Sequence, residues 1–207
     1  DLAQKFNIPV VTTLMGRGAF PDGHELCLGM PGMHGNYTAT TSIQNSDLLI
    51  AIGVRFDDRV TANPKFFAQN AKVIHADIDP AEIGKVRDAE VPIVGDAKSV
   101  LKGLIDKLGD TKLETSNWIQ EINNMRESYP LTFTQDEDGP LKVPYVLEEL
   151  QKMSEDDSIV VSGVGQHQMW ISLHWEIYKT KHLVKFWRIR NHGIFTASSY
   201  RSKSSIS

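Results

Sequence analysis

Apolar residues along the first 108 or so positions fall into two rhythms. IPVV (8–11), DLLIAIGV (47–54), KVIHADI (72–78) and VPIV (91–94) are short runs rich in β-branched residues. Such runs are the pattern of strands buried on both faces of a parallel sheet. Helical candidates lie between them at 38–45, 64–69 and 80–86, and the opening DLAQKF also has helical spacing. In AKSVLKGLIDKLG, Val100, Leu101, Leu104, Ile105 and Leu108 share one helical face, and Gly109 suits the helix end. Strands alternating with helices predict an α/β fold with a doubly wound, mostly parallel, Rossmann-like sheet over 1–109.

The rhythm changes after 109. TSNWIQEINNMRESYP predicts an amphipathic helix with Thr115 or Ser116 as cap and Pro130 as its stop. TFTQDEDGPLK is polar, carries Gly139-Pro140 and reads as a linker, so 110–142 is a helix plus linker. A second α/β unit starts at 143: VPYVLEELQKM as helix, SEDD as turn, SIVVSGVG as buried strand.

Composition narrows the class without naming a function. The chain has 207 residues, 41% hydrophobic and 23% charged, and a net charge of -4, so no nucleic-acid surface is expected. The single cysteine, Cys27, cannot form an internal disulfide, which makes a reducing compartment the default. No apolar run reaches the roughly 20 residues of a membrane helix, and no membrane partner is expected.

Four stretches could carry chemistry. Gly29-Met30-Pro31-Gly32-Met33-His34-Gly35 packs three glycines ahead of a helix, where a backbone can approach an anion closely; the alternative is a flexible loop. Gly53-Val54-Arg55-Phe56-Asp57-Asp58-Arg59 sits at the carboxyl end of strand 47–54, where open α/β sheets bind ligands and arginines can grip phosphate. The alternative is a surface cluster of ion pairs. His75-Ala76-Asp77-Ile78-Asp79-Pro80 places acids at a strand end, suited either to a ribose hydroxyl or, at Asp79, to capping the helix that Pro80 begins. Gly163-Val164-Gly165-Gln166-His167-Gln168-Met169-Trp170 runs from a buried strand through two glycines into a helix start, suited to a diphosphate or to a corner facing water. A lone His167 gives no metal spacing, and no nucleophile-plus-base motif occurs.

In their order and spacing, VVTTLMGRGAFP, LGMPGMHGNYTA, NSDLLIAIGVRFDDRVT, HADIDPAEIGK, VPIVGDAK and VSGVGQHQMW resemble the catalytic subunit of the acetolactate synthase family, from residue 1 to about 178. The resemblance implies a transferase that condenses two 2-oxo acids, pyruvate with pyruvate or 2-oxobutyrate, toward isoleucine and valine and other branched-chain amino acids. It implies thiamine diphosphate, Mg2+ and a largely structural FAD. It also implies a homo-oligomer (dimer or tetramer) with its active site between subunits, a regulatory small subunit, and a cytoplasmic or, in a plant, plastid location. By the same resemblance, His34 and Gly35, then Gly53, Val54 and Arg55, lie in the first flavin-lining stretch. Asp77, Ile78, Asp79 and Asp96 lie in the second. Met33, His34, Asp58 and Arg59 resemble positions near the substrate channel, and Gly165, Gln166, His167 and Gln168 resemble part of the thiamine diphosphate cradle. The chain would then be the FAD-binding middle domain, without its first strand, plus the start of the thiamine-diphosphate domain (143–180). The activating glutamate and the magnesium motif would lie elsewhere, so this chain alone is expected to be inactive.

The resemblance stops near Lys179, where the family continues with a string like NTWLNSGGLGTMGYS and this chain reads KHLVKFWRIRNHGIF (181–195). One set of codons for 181–195, read one base further on, encodes NTWLNSGGLGTMGYS. Residues 181–207 are therefore expected to be a frameshifted, non-native tail, poorly packed or disordered. The competing expectations are another thiamine-dependent flavoprotein of the glyoxylate carboligase or pyruvate oxidase type, a non-catalytic nucleotide-binding module, and a non-functional product of a damaged gene.

Overall fold

The computed structural model describes residues 1–155 and 158–177, together with the backbone of 183–185 and 194–197. The chain forms two compact units, one of residues 1–13 and 25–131, the other of 14–24 and 132–207.

In the first unit, helix α1 (Leu2–Phe6) leads to a two-residue strand β1 (Val10–Val11), paired in parallel with β2 (Cys27–Gly29). Helix α2 (Tyr37–Asn45) starts at Asn36, whose side-chain oxygen accepts the Ala39 N–H at 2.7 Å. Strands β3 (Leu48–Ile52), β4 (Lys72–Asp77) and β5 (Val91–Val94) form an all-parallel sheet in the order β3-β4-β5, with the one-turn helix α3 (Asp58–Thr61) between the first two. Helices α4 (Ala97–Leu108) and α5 (Ser116–Ser128) follow.

The expected helical face of α4 is the observed one: Val100, Leu101, Leu104, Ile105 and Leu108 are half-buried while Lys102, Gly103, Asp106 and Lys107 are exposed. Gly109 ends it with φ 54°. Ile43, Ala51, Phe56, Phe67 and Val73 form one buried cluster, and Leu28, Ala39 and Ile122 form another; Val11 packs against both. Arg126 ties α5 to the strand edge by donating to the carbonyls of Glu25 (2.8 Å) and Cys27 (2.5 Å).

Several expected elements come out differently. The 64–69 helix shrinks to a 3-10 turn, Pro64–Phe66, because Phe67 is extended and Ala68 sits at φ 44°. The 80–86 helix is a run of turns, because Gly84 (φ 73°) turns its N–H toward the His75 ring instead of continuing a helical ladder. Strand β5 is not buried on both faces: Val91, Pro92 and Val94 are exposed. It is an edge strand, the place where a proline that cannot donate to a ladder is tolerated. Strand β2 had no expectation at all, since Cys-Leu-Gly is too short to show a period.

In the second unit, helix α6 (Val143–Lys152), strand β6 (Ile159–Ser162) and helix α7 (Gln166–His174) build a core of Leu147, Val160, Ile171, Trp175 and Ile177. Within 181–207, the stretch expected to be poorly packed or disordered, the backbone of two short segments is described. Strand β7 (Leu183–Lys185) pairs with β6 in parallel, and β8 (Ile194–Ala197) pairs with it antiparallel. LVK and IFTA are rich in residues that suit a pleated surface, and an open edge such as that of β6 pairs with them readily. The rest of 178–207 lies outside the described residues. Segment 14–24 belongs to this unit: Arg17 grips Asp22 with two N–H groups at 2.5 and 2.6 Å. The same carboxylate accepts the Ile177 N–H at 2.8 Å.

Candidate flavin and diphosphate sites

The first three glycine- or acid-bearing stretches, with Asp96, follow the carboxyl ends of β2, β3, β4 and β5. The last three strands form one open parallel sheet, whose carboxyl edge is where ligands bind, while β2 pairs with β1 in a separate two-stranded sheet. After β2, the chain turns tightly through 30–35. Asn36 fastens this turn from both sides, accepting from Ala39 and donating to the Leu28 carbonyl at 2.8 Å. Gly32 (φ 97°) has no room for a side chain, because a Cβ would overlap the Arg59 carbonyl. That carbonyl accepts the Met33 N–H at 2.9 Å. The structure therefore brings Met33 against Arg59 on α3; His34 and Asp58, their neighbours in the chain, are likewise exposed.

After β3, the turn Gly53–Asp57 carries two residues with positive φ, Gly53 at 63° and Phe56 at 53°. Nothing lies within 4 Å of where a Gly53 Cβ would stand. For Phe56 the left-handed backbone is costly. Its ring is buried among Phe67 and His75, and that burial holds the conformation. Arg55 pairs with Asp57 at 3.8 Å and Arg59 with Asp58 at 3.3 Å. Both guanidiniums are more than half exposed, so these pairs are weak and yield readily to an anion.

After β4, Asp77 accepts the Asp79 N–H and Asp79 accepts the Ala81 N–H, each at 2.9 Å. Ile78 between them is 75% exposed. Asp96, after β5, caps α4 by accepting from Ser99 N–H (3.0 Å) and Ser99 hydroxyl (3.2 Å). Asp96 thus caps a helix and Asp77 and Asp79 each hold a turn; Asp79 and Asp96 are exposed and Asp77 is half-buried. Nearby, Glu90 accepts the Val73 N–H at 2.5 Å, and this bond holds its carboxyl below the usual carboxylate range.

The fourth stretch lies in the second unit. Gly165 has φ 154° and ψ -169°, a region open essentially to glycine alone. A Cβ there would stand 2.9 Å from Cε1 of His167. Nε2 of His167 is buried and has no hydrogen-bond partner among the described residues. A glycine-only backbone, a buried donor-capable nitrogen and the start of the nine-residue helix α7 together fit a diphosphate. Gln166 is exposed and Gln168 is buried at the same helix start. Farther along α7, burial lowers the His174 pKa below its usual value, with Glu148 at 3.9 Å opposing. Among the described residues no group of three or more His, Cys, Asp or Glu could hold a metal ion, so no residue here is assigned to Mg2+. No helix among them is long and apolar enough to cross a membrane.

Sequence reasoning missed Asn36, the Arg17–Asp22 pair, Arg126 and the part played by His75. Asn36 had a usable signal, an N-cap residue directly before a helix. The other three act on carbonyls or on partners that spacing does not reveal.

Comparison with known proteins places the chain in a family. The family described as "Thiamine pyrophosphate enzyme, central domain" matches residues 1–104. An acetolactate synthase of Mycobacterium bovis is 55% identical over 174 residues, 82% of this chain and 28% of the relative. The acetolactate synthase large subunit of Corynebacterium glutamicum is 51% identical over 171 residues, 81% of this chain and 27% of the relative. The chloroplastic acetolactate synthase 2 of Nicotiana tabacum is 45% identical over 178 residues, 84% of this chain and 27% of the relative. The chain thus spans under a third of the length of these relatives. With a glycine-and-arginine strand-end surface in one unit and a glycine-only strand–turn–helix in the other, the chain belongs to the thiamine pyrophosphate enzyme family, whose central domain is matched by residues 1–104.

Proposed function

We propose that this chain is the flavin-holding central part, and the opening of the diphosphate-holding part, of an acetolactate synthase catalytic subunit. That enzyme condenses pyruvate with pyruvate or 2-oxobutyrate and releases carbon dioxide. The observation that carries the reading is the placement of Gly53, Arg55, Asp77 and Asp79 after the carboxyl ends of the paired strands β3 and β4, with Met33 and His34 following β2 in the same unit. On this reading Gly53, Val54 and Arg55 face the ribityl and phosphate portion of FAD, and Asp77, Ile78 and Asp79 its adenosine end. His34, Gly35 and Asp96 complete the set. Met33, Asp58 and Arg59 border the path of the 2-oxo acid. Gly165, Gln166, His167 and Gln168 hold the diphosphate of thiamine diphosphate, the group that supplies the carbanion equivalent for carbon–carbon bond formation. His167 Nε2 supplies a donor already desolvated and lacking a partner among the described residues, so it gains a hydrogen bond without losing one to water. Magnesium, a second copy of the subunit and a regulatory subunit belong to the same reading, with no residue of this chain assigned to them.

Two measurements on the purified chain test it. Titration with FAD, followed by flavin fluorescence, is expected to show saturable binding that Arg55→Ala weakens. An assay for acetolactate from pyruvate is expected to show no turnover by this chain alone. Absence of flavin uptake under gentle isolation refutes the flavin reading; turnover refutes the incompleteness.

A further inference from the structure

We infer that His75 is the positioning residue that sets the distance between the two halves of the proposed flavin surface; the inference rests on the flavin reading above. His75 lies in the middle strand β4 and is fully buried, at 0% exposure. Its Nε2 is 2.7 Å from the Val54 carbonyl, inside the turn after β3. Its Nδ1 accepts the Gly84 N–H across a longer 3.4 Å contact, inside the turns after β4. The Phe56 ring stands edge-on at 5.1 Å.

These contacts fix the tautomer. A backbone N–H aimed at Nδ1 requires a lone pair there, so the ring proton is on Nε2, which donates to Val54. The ring therefore connects two loops that share no strand: 53–57, bearing Arg55, and 79–85, bearing Asp79. The first of these holds Phe56 at φ 53°, a left-handed backbone that a residue with a side chain keeps only where surrounding contacts over-determine it. His75 supplies two such contacts, a hydrogen bond to Val54 and a packing surface for Phe56. Without them the turn relaxes, only a fraction of molecules keeps Arg55 and Asp79 at the spacing the ligand needs, and apparent affinity falls by that fraction.

The experiment compares His75→Leu and His75→Gln with the unsubstituted chain, well below their melting temperatures. Leucine removes both polar contacts, whereas glutamine keeps an N–H that can reach Val54. The expected result is a rise in the FAD dissociation constant of about tenfold for His75→Leu, largely restored in His75→Gln. A residue that only supports stability would lower the melting temperature and leave the dissociation constant unchanged, and that outcome overturns the inference. Nitrogen-15 spectra of the unliganded chain are expected to show the Nε2–H tautomer, with Gly84 amide exchange accelerated in His75→Leu; the Nδ1–H tautomer overturns the clamp. If the unsubstituted chain takes up no FAD, the flavin reading fails instead, and the tautomer and the Gly84 exchange then decide the clamp alone.

Discussion

Replacing Asp22 by alanine tests the second unit at its most concentrated polar contact. The Asp22 carboxylate receives two N–H groups from Arg17 at 2.5 and 2.6 Å and the Ile177 N–H at 2.8 Å. The two side chains are 5% and 7% exposed. Alanine removes the carboxylate and leaves the guanidinium in a place from which water is excluded. Breaking a buried pair from one side costs about 3–5 kcal/mol. Arg17 keeps further polar interactions, which favours the lower end, about 3 kcal/mol, or about a hundredfold in the unfolding equilibrium. With a urea dependence of about 2 kcal/mol/M, the midpoint falls by about 1.5 M. Urea unfolding followed by tryptophan emission in a Trp118→Phe background reads the second unit, to which the remaining tryptophans belong. The double variant Arg17→Met/Asp22→Leu removes both buried charges and is expected to cost less than Asp22→Ala alone. Stability of Asp22→Ala within about 0.5 kcal/mol of the parent, or a double variant that costs the sum of the singles, refutes the reasoning.

Four further outcomes follow from the same structure. Gly165→Ala forces a glycine-only backbone to relax by about 1–3 kcal/mol and pushes a methyl toward His167, so thiamine diphosphate titration is expected to show weakened binding. Asn36→Ala loses the α2 cap and the bond to Leu28, costing about 1–2 kcal/mol in thermal unfolding of the first unit. Burial holds the folded-state pKa of His174 below its ordinary 6.5, so the unfolded chain takes the proton first as pH falls. That contribution is complete above pH 6.5 and is lost below it, and a pH series on His174→Gln is expected to show a shallower loss in that window. Finally, we propose that the coding DNA for 181–195 reads NTWLNSGGLGTMGYS one base further on; codons incompatible with that reading end the frameshift proposal.

By itself the sequence determined the elements with a clear period and the residues with a chemical signature. The five-residue apolar face of α4, its Gly109 stop, the strands β3 and β4, the glycine-rich run 29–35 and the glycine-bearing ends of β3 and β6 were all legible, because period and punctuation are local properties. Local signals also misled: Pro64 and Pro80 open segments with helical spacing, yet Ala68 and Gly84 take left-handed backbones that serve contacts elsewhere in the fold. Only the tertiary structure decided those contacts. It set Gly32 against the Arg59 carbonyl, drew Arg126 to β2, joined Asp22 to Ile177 and placed His75 between two loops. The last three are bonds from a side chain to a distant backbone group, and every residue carries the same backbone amide. Sequence spacing therefore holds no record of which one a buried side chain will find.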